Sequence, residues 1–107
     1  MEEVLRQAKT LITEEVERAG CRVLRILLFG SRARGEARPE SDWDFFVVIE
    51  EDLEFHAREN LASQICFALA RKGIFADVFV QSEQCVRERE KNPGFLTYYV
   101  LQEGIPV

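Results

Sequence analysis

Two short apolar segments, joined by a polar stretch that begins with glycine and ends in paired aspartates, constrain this fold most. Arg22–Phe29 and Trp43–Ile49 have the length and apolar content of buried β-strands. The connection between them, within GSRARGEARPESDWD at positions 30–44, is polar and contains two glycines and a proline. Such a connection does not continue either strand, so we expect two separate strands of one sheet.

The rest of the chain predicts one further strand and several helices. The third strand is expected at Ile74–Val80. Helical spacing and capping residues predict four helices: Glu2–Glu17, Asp52 or a nearby acid to about Arg71, Ser82 to about Lys91, and Asn92-Pro93 through Gln102. The order of these elements predicts an α/β fold, a small sheet covered by helices, in a single domain over residues 1–107.

The charge balance argues against a polynucleotide as the main partner. The chain has 14 Lys and Arg against 19 Asp and Glu, a net charge of −5. An acidic surface is poorly suited to a phosphate backbone, although a local basic patch could hold one nucleotide. A hydrophobic content of 47%, with eight phenylalanines, is sufficient for a packed core.

Cysteine usage and hydropathy indicate a cytoplasmic protein. Cys21, Cys66 and Cys85 are odd in number and lack metal-ligand spacing, so we expect free thiols in a reducing compartment. The acidic start Met1–Glu3 is unlike a signal peptide. The longest apolar run, Phe45–Ile49, is far shorter than the roughly 20 residues of a membrane span.

Asp42 and Asp44 are the first candidate functional residues. Spaced i, i+2 at the head of a strand, they point to the same face. Two adjacent carboxylates repel each other and lose hydration against an apolar sheet. A divalent cation that bridges to phosphate is the usual reason for such a pair. The alternative is two solvated acids at a strand end.

Gly30 and Ser31 are a candidate phosphate site. Glycine lets the backbone approach a ligand closely, and the free N–H groups of a following turn suit a phosphate. The alternative is that Ser31 merely caps a short helical turn after the strand. A Walker-type ATPase is excluded as an interpretation of Gly30–Gly35, because Glu36-Ala37 replaces the required Lys-Ser/Thr.

Asp77 interrupts an otherwise apolar strand and shares a face with Phe75 and Phe79. A charge at such a position requires a partner. An ion pair with an arginine such as Arg25 is one interpretation, and a functional carboxylate is the other.

Three arginines cluster after the first strand of an acidic chain. Guanidinium groups pair well with phosphate oxygens, and Arg34 is the candidate for a triphosphate contact. Arg32 and Arg38 are expected to be solvated or to face a partner.

The pattern Gly-Ser, ten intervening residues, Asp-x-Asp, and a later strand aspartate resembles the nucleotidyltransferase superfamily that includes DNA polymerase beta. The resemblance spans nearly the whole chain and is closest to the minimal nucleotidyltransferase (MNT) domains. The matching residues are Gly30, Ser31, Arg34, Gly35, Ser41, Asp42, Asp44 and Asp77. The resemblance implies that the sheet is mixed rather than all parallel.

The resemblance also implies a reaction. Asp42, Asp44 and Asp77 would bind Mg²⁺, and Asp77 would help to deprotonate an attacking hydroxyl. That hydroxyl would attack the α-phosphorus of ATP in line, and pyrophosphate would leave. By resemblance, the acceptor is a tyrosine of a HEPN toxin, so the chain would be a protein adenylyltransferase and the antitoxin of a type VII toxin–antitoxin pair.

Two alternatives stay open at this point. The chain could be a non-catalytic module that covers the active site of a toxin, although three costly carboxylates argue against a pure binder. It could also be a homodimeric adenylyltransferase for a small molecule. Larger relatives use an added helical domain for the acceptor, so we expect a partner or a second copy to complete that side. The nucleotide base, the acceptor and the stoichiometry are not identified by the sequence.

Overall fold

The computed structural model describes residues 1–107 as an α/β fold with one small mixed sheet, which confirms the predicted fold class. In chain order the elements are α1 (Glu2–Arg18), β1 (Val23–Phe29), β2 (Trp43–Ile49), α2 (Phe55–Ala70), β3 (Ala76–Ser82), α3 (Glu83–Arg89), α4 (Leu96–Glu103) and β4 (Ile105–Pro106).

The four strands lie in the order β3-β2-β1-β4. β1 is antiparallel to both β2 and β4, whereas β2 and β3 run parallel to each other. The parallel pair is joined by α2, as a parallel connection requires a crossover element. β2 is therefore paired on both sides, and β3 forms one edge of the sheet.

Helices cover both faces of the sheet, and each face has its own apolar cluster. The larger cluster joins α1 and α2 to one face through buried residues such as Ile12, Leu28, Phe45 and Ile65. The smaller cluster lies on the opposite face, which α3 and α4 cover in part. Its buried members are Leu27, Phe29, Phe46, Val48, Val86 and Val100.

The alternation of β2 divides its residues between these two clusters. Trp43, Phe45 and Val47 belong to the larger cluster. Phe46 and Val48 belong to the smaller one. Since successive strand residues point to opposite faces, Asp44 lies on the same face as Phe46.

β3 begins and ends two residues later than predicted. Ile74 is buried, but it belongs to the turn that ends α2, because its N–H donates to Leu69 O at 3.0 Å. Gly73 adopts φ +77° in that turn, a conformation in which glycine has no Cβ penalty. An apolar residue that closes a helix was therefore misread as the first residue of a strand.

The last helix starts later than predicted, and the final strand was missed. Asn92 caps no helix, because its Oδ1 accepts the N–H of Gly94 at 2.9 Å in a local turn. α4 begins only at Leu96. β4 comprises two residues, which is too short for a periodic pattern, and it is defined by its pairing with Leu27 and Leu28.

The other helix starts follow local capping chemistry. Ser82 caps α3 as predicted, since its hydroxyl accepts the N–H of Cys85 at 3.1 Å. Glu54, one of the acids near Asp52 that are predicted to start α2, caps this helix by accepting the N–H groups of His56 and Ala57.

The cysteines are all unpaired, as predicted. Cys21 is buried in the larger cluster, and the Cys66 thiol lies 3.5 Å from the carbonyl oxygen of Ala76. None of the helices combines the length and the apolarity that crossing a membrane requires.

Replacing a core phenylalanine should cost far more than replacing an exposed one. Phe45 is fully buried, so Phe45→Ala should lower the free energy of unfolding by about 3–5 kcal/mol. Phe67 is 67% exposed, and Phe67→Ala should change that free energy by less than about 0.5 kcal/mol. Urea unfolding of both variants measures the difference. Equal losses would contradict the assignment of the core.

Candidate functional site

The sheet register places Asp44 and Asp77 side by side. Asp44 of β2 is the direct neighbour of Asp77 in the parallel strand β3. Adjacent strands are roughly 4.8 Å apart, so these two carboxylates share one face at close range. Asp42 lies just before β2 and is exposed, as is Asp77, whereas Asp44 is half-buried between its neighbours.

The carboxylates of Asp42, Asp44 and Asp77, the acidic group of this site, have no direct partner within the chain. No hydrogen bond or ion pair in the structure involves the carboxylate of Asp42, Asp44 or Asp77. Burial raises the pKa of Asp44, and the charges of Asp77 and Asp42 raise it further, while Arg34 opposes the shift. The ionised form of Asp44 is therefore disfavoured here in the absence of a cation.

The interpretation of Asp77 as the ion-pair partner of Arg25 is wrong. Arg25 pairs with Glu83 of α3, with Nη2 and Oε1 3.8 Å apart. Asp77 instead stays free beside Asp44, on the edge strand.

Gly30 allows the turn after β1 to pass directly over Asp44. Its φ is +75°, and a Cβ at this position would lie 3.1 Å from Asp44 Cγ and closer still to Oδ2. Phe29 is the register partner of Asp44 across β1 and β2, which explains this contact. Only glycine satisfies both the backbone conformation and the space at this position.

The turn that follows Gly30 presents free donors. The N–H groups of Ala33 and Arg34 both donate to Gly30 O at 3.1 Å, and the N–H of Glu36 donates to Ser31 O at 2.9 Å. The N–H groups of Ser31 and Arg32 have no partner in the chain. Backbone N–H groups that project together from a turn form a concave anion site.

Ser31 does not act as a side-chain cap. Its hydroxyl makes no hydrogen bond within the chain, and the residues after it form successive turns rather than a helix. The hydroxyl is half-buried beside the free N–H groups. It is thus available as one more polar contact for an anion.

Arg34 is bound to two carboxylates. Its Nε pairs with Glu36 Oε1, and its Nη1 lies 3.3 Å from Glu103 Oε1. The guanidinium is near enough to Asp44 to act on its titration. The structure therefore places Arg34 beside the candidate site but in contact with acids of its own chain.

Arg32 has a structural role, so the expectation of a solvated or partner-facing side chain was wrong. Its guanidinium lies 4.1 Å from the Trp43 ring centroid and donates to Ser41 O at 2.6 Å. A further bond at 3.3 Å reaches Pro39 O. These contacts fold the polar loop back onto β2 and so fix the approach to Asp42. Arg38 is exposed, as expected.

Glu103 is the site residue that sequence reasoning missed. Its Oε1 accepts the Gly30 N–H at 3.4 Å as well as the Arg34 Nη1 hydrogen bond. It lies 73 residues from Gly30 in the chain, at the end of α4, with no motif around it. No local signal could have identified it.

Open clefts flank the acidic group on two sides. A cleft of about 380 Å³ borders Asp77 and includes Phe67 and Phe79. Another, of about 410 Å³, borders Asp42 and includes Trp43 and the exposed Phe75. Each could admit a flat or apolar group next to a carboxylate.

The donor chemistry of the site fits a hard divalent cation. Carboxylate oxygens without other partners are the ligands that Mg²⁺ prefers. A cation would also neutralise the charges of Asp77 and Asp42, which add to the effect of burial in raising the pKa of Asp44. The three side chains do not converge as a ready-made set of metal ligands. Mg²⁺ commonly takes its remaining ligands from water and substrate phosphate.

Comparison with known proteins assigns the chain to a family. Residues 10–107 match the family model described as "Polymerase beta, Nucleotidyltransferase". A protein described as a minimal nucleotidyltransferase is 32% identical, with a TM-score of 0.60, over 98% of this chain and 94% of that one. A crystal structure of a toxin-antitoxin with AMP-PNP is 25% identical, with a TM-score of 0.60, over 91% of this chain and 69% of that one. No curated protein gives a significant match.

Gly30→Ala should destabilise the protein more than the same change at Gly73. Both glycines have a positive φ, so each alanine should cost about 1–2 kcal/mol of backbone strain. At Gly30 the new Cβ would also overlap Asp44, which should add about 1–3 kcal/mol. Nothing lies within 4 Å of the position at Gly73, which makes Gly73→Ala the matched control. Equal losses in urea unfolding would contradict the close contact.

Asp44→Asn should stabilise the metal-free protein at neutral pH. Because burial raises the pKa of Asp44 in the folded protein, the contribution of this carboxyl group to stability is fully present below the ordinary Asp value of about 4 and is lost as pH rises through the raised value. The gap in Tm between the variant and the wild type should therefore be widest near pH 7 and should close toward pH 3.

The control is Asp52→Asn, an exposed position in the loop beyond the opposite end of β2. Thermal melts in EDTA from pH 3 to pH 8 measure the difference in Tm between each variant and the wild type. A gap for Asp44→Asn that does not depend on pH, or that matches the control, would contradict the electrostatic origin.

Proposed function

The chain belongs to the polymerase beta nucleotidyltransferase family, and we propose that it transfers AMP from ATP to a hydroxyl group of a partner protein. The observation that carries this proposal is the placement of Asp44 beside Asp77, with Gly30 packed directly over Asp44. This arrangement joins uncompensated acids to a turn that presents free N–H groups.

Asp42, Asp44 and Asp77 are the residues proposed to hold Mg²⁺. When bound, this cation supplies charge neutralisation for the triphosphate and its leaving pyrophosphate. The acids suit this role because they have no other partner in the chain, and because the charges of Asp77 and Asp42 add to the effect of burial in raising the pKa of Asp44.

The turn after β1 is proposed to bind the phosphates. The free N–H groups of Ser31 and Arg32 and the Ser31 hydroxyl would donate to phosphate oxygens. Arg34 would add a charge-assisted hydrogen bond. Together these donors would orient the α-phosphorus toward the acidic face.

Asp77 is proposed to accept the proton of the acceptor hydroxyl. It is exposed on the edge strand, so an acceptor can approach it from outside the sheet. The acceptor oxygen forms a bond to the α-phosphorus while the bond from that phosphorus to the β-bridging oxygen breaks. Pyrophosphate leaves with the electron pair, and the proton passes to the carboxylate.

The donor and partner are proposed from two sources. A related structure was solved as a toxin-antitoxin with AMP-PNP, which supports an ATP-type donor and a toxin partner here. The resemblance of the sequence motif favours a HEPN toxin and its tyrosine hydroxyl as acceptor. On this proposal the chain is a protein adenylyltransferase that acts as an antitoxin.

Intact mass of a candidate HEPN partner tests the proposal directly. With ATP and Mg²⁺ present, incubation with the wild-type chain should raise the mass of the partner in AMP-sized steps. Asp44→Asn and Asp77→Asn should each slow this addition at least about 100-fold, because each removes a carboxylate of the reaction centre. Asp52→Asn should retain the wild-type rate.

The outcomes separate the proposal from its two rivals. A stable complex with no added mass would favour a module that neutralises the toxin by binding alone. Nucleotide consumption without modification of the partner, by a homodimer, would favour a small-molecule adenylyltransferase. Full activity of Asp44→Asn would overturn the assignment of the site.

A further inference from the structure

We propose that Glu103 is an internal competitor of the nucleotide: its carboxylate occupies the Gly30 N–H and Arg34, the second of which is a proposed phosphate contact, and so lowers the affinity for the triphosphate. This inference rests on the proposed function, since it concerns the same site. It assigns a role to a residue that belongs to none of the motif positions.

The two contacts of Glu103 converge on one oxygen. Oε1 accepts the Gly30 N–H at 3.4 Å and the Arg34 Nη1 hydrogen bond at 3.3 Å. Arg34 is a proposed phosphate contact, and the Gly30 N–H directly precedes the free N–H groups of Ser31 and Arg32 in the chain. The carboxylate thus imitates a phosphate group in charge and in hydrogen bonding.

The backbone of Glu103 is held firmly at this place. Val100, one turn earlier, is fully buried, and the N–H of Gly104 donates to Val100 O at 2.7 Å. Ile105, in β4, then pairs with Leu28 of β1. A Cβ at Gly104 would lie 3.3 Å from Leu27 Cβ, so the chain passes close against β1. The end of α4 is therefore anchored beside the turn.

The side chain of Glu103, in contrast, is free to leave. Its exposed fraction is 36%, so it can rotate into water while the backbone stays in place. Arg34 keeps an ion pair with Glu36 when Glu103 departs. Displacement by a phosphate therefore breaks two exposed hydrogen bonds and requires no movement of the sheet.

Competition follows from electrostatics. The Glu103 carboxylate and a phosphate would compete for Arg34, and two negative charges beside the same turn repel each other. Part of the binding free energy of the triphosphate is consequently spent on removing Glu103. A neutral residue of the same shape should bind the triphosphate more tightly.

Titration calorimetry of Glu103→Gln with AMP-PNP and with inorganic tripolyphosphate, both in Mg²⁺, tests this inference. The Kd of AMP-PNP and that of tripolyphosphate should each be about two- to fivefold lower for the variant than for the wild type. A change of this size corresponds to the free energy of an exposed ion pair. Adenosine, which has no phosphate, should bind equally to both proteins. The gain should shrink in 0.5 M KCl, since salt screens exposed charges.

Glu36→Gln is the matched control. Glu36 also pairs with Arg34 but makes no contact with the Gly30 N–H. Glu36→Gln should therefore increase the affinity for AMP-PNP and tripolyphosphate less than Glu103→Gln does. Equal melting temperatures would establish that neither change perturbs the fold.

Failure of this inference is distinguishable from failure of the proposed function. If the wild type binds AMP-PNP and Glu103→Gln binds it equally or more weakly, Glu103 is not a competitor, while the nucleotide site stands. Weaker binding would make it a positioning residue for Arg34. If no variant binds AMP-PNP or tripolyphosphate, both proposals fall.

Discussion

The pairing of β2 on both sides is the constraint on which the rest of this structure depends. β1 contributes the turn at Gly30, and β3 contributes Asp77, so each reaches Asp44 only because β2 lies between them. A slip of one residue in either register would turn the partner side chain to the opposite face. The buried side chains of β2 oppose such a slip, because they alternate between two clusters that different helices cover.

The distribution of charge gives the site its chemical character. The acids Asp42, Asp44 and Asp77 have no direct partner, and the turn that follows Gly30 holds N–H donors without a partner. Neither set is balanced by the other, because Arg34 is paired with Glu36 and Glu103 rather than with the aspartates. A cation and a polyphosphate bound together would balance both sets, which is the chemistry of the family to which the chain belongs.

Prediction from sequence succeeded where the determining physics is local. The alternation of β2 and the cap at Ser82 follow from interactions between near neighbours, and both are confirmed. Prediction failed where an apolar or polar residue had two local uses. Ile74 closes a helix instead of starting a strand, and Asn92 forms a turn instead of capping α4. In both cases the observed hydrogen bond is itself local, and residue type and spacing alone do not choose between the two local motifs.

By itself the sequence determined the fold class and identified the candidate carboxylates, because strand periodicity and the spacing of glycine and aspartate are encoded over a few residues. Only the tertiary structure decided which of these residues meet. The adjacency of Asp44 and Asp77, the packing of Arg32 on Trp43, and the contact of Glu103 with Gly30 are examples. Asp44 and Asp77 are 33 positions apart in the chain, and Gly30 and Glu103 are 73 positions apart. Such contacts depend on strand register and on the docking of helices, which the packing of the whole core determines.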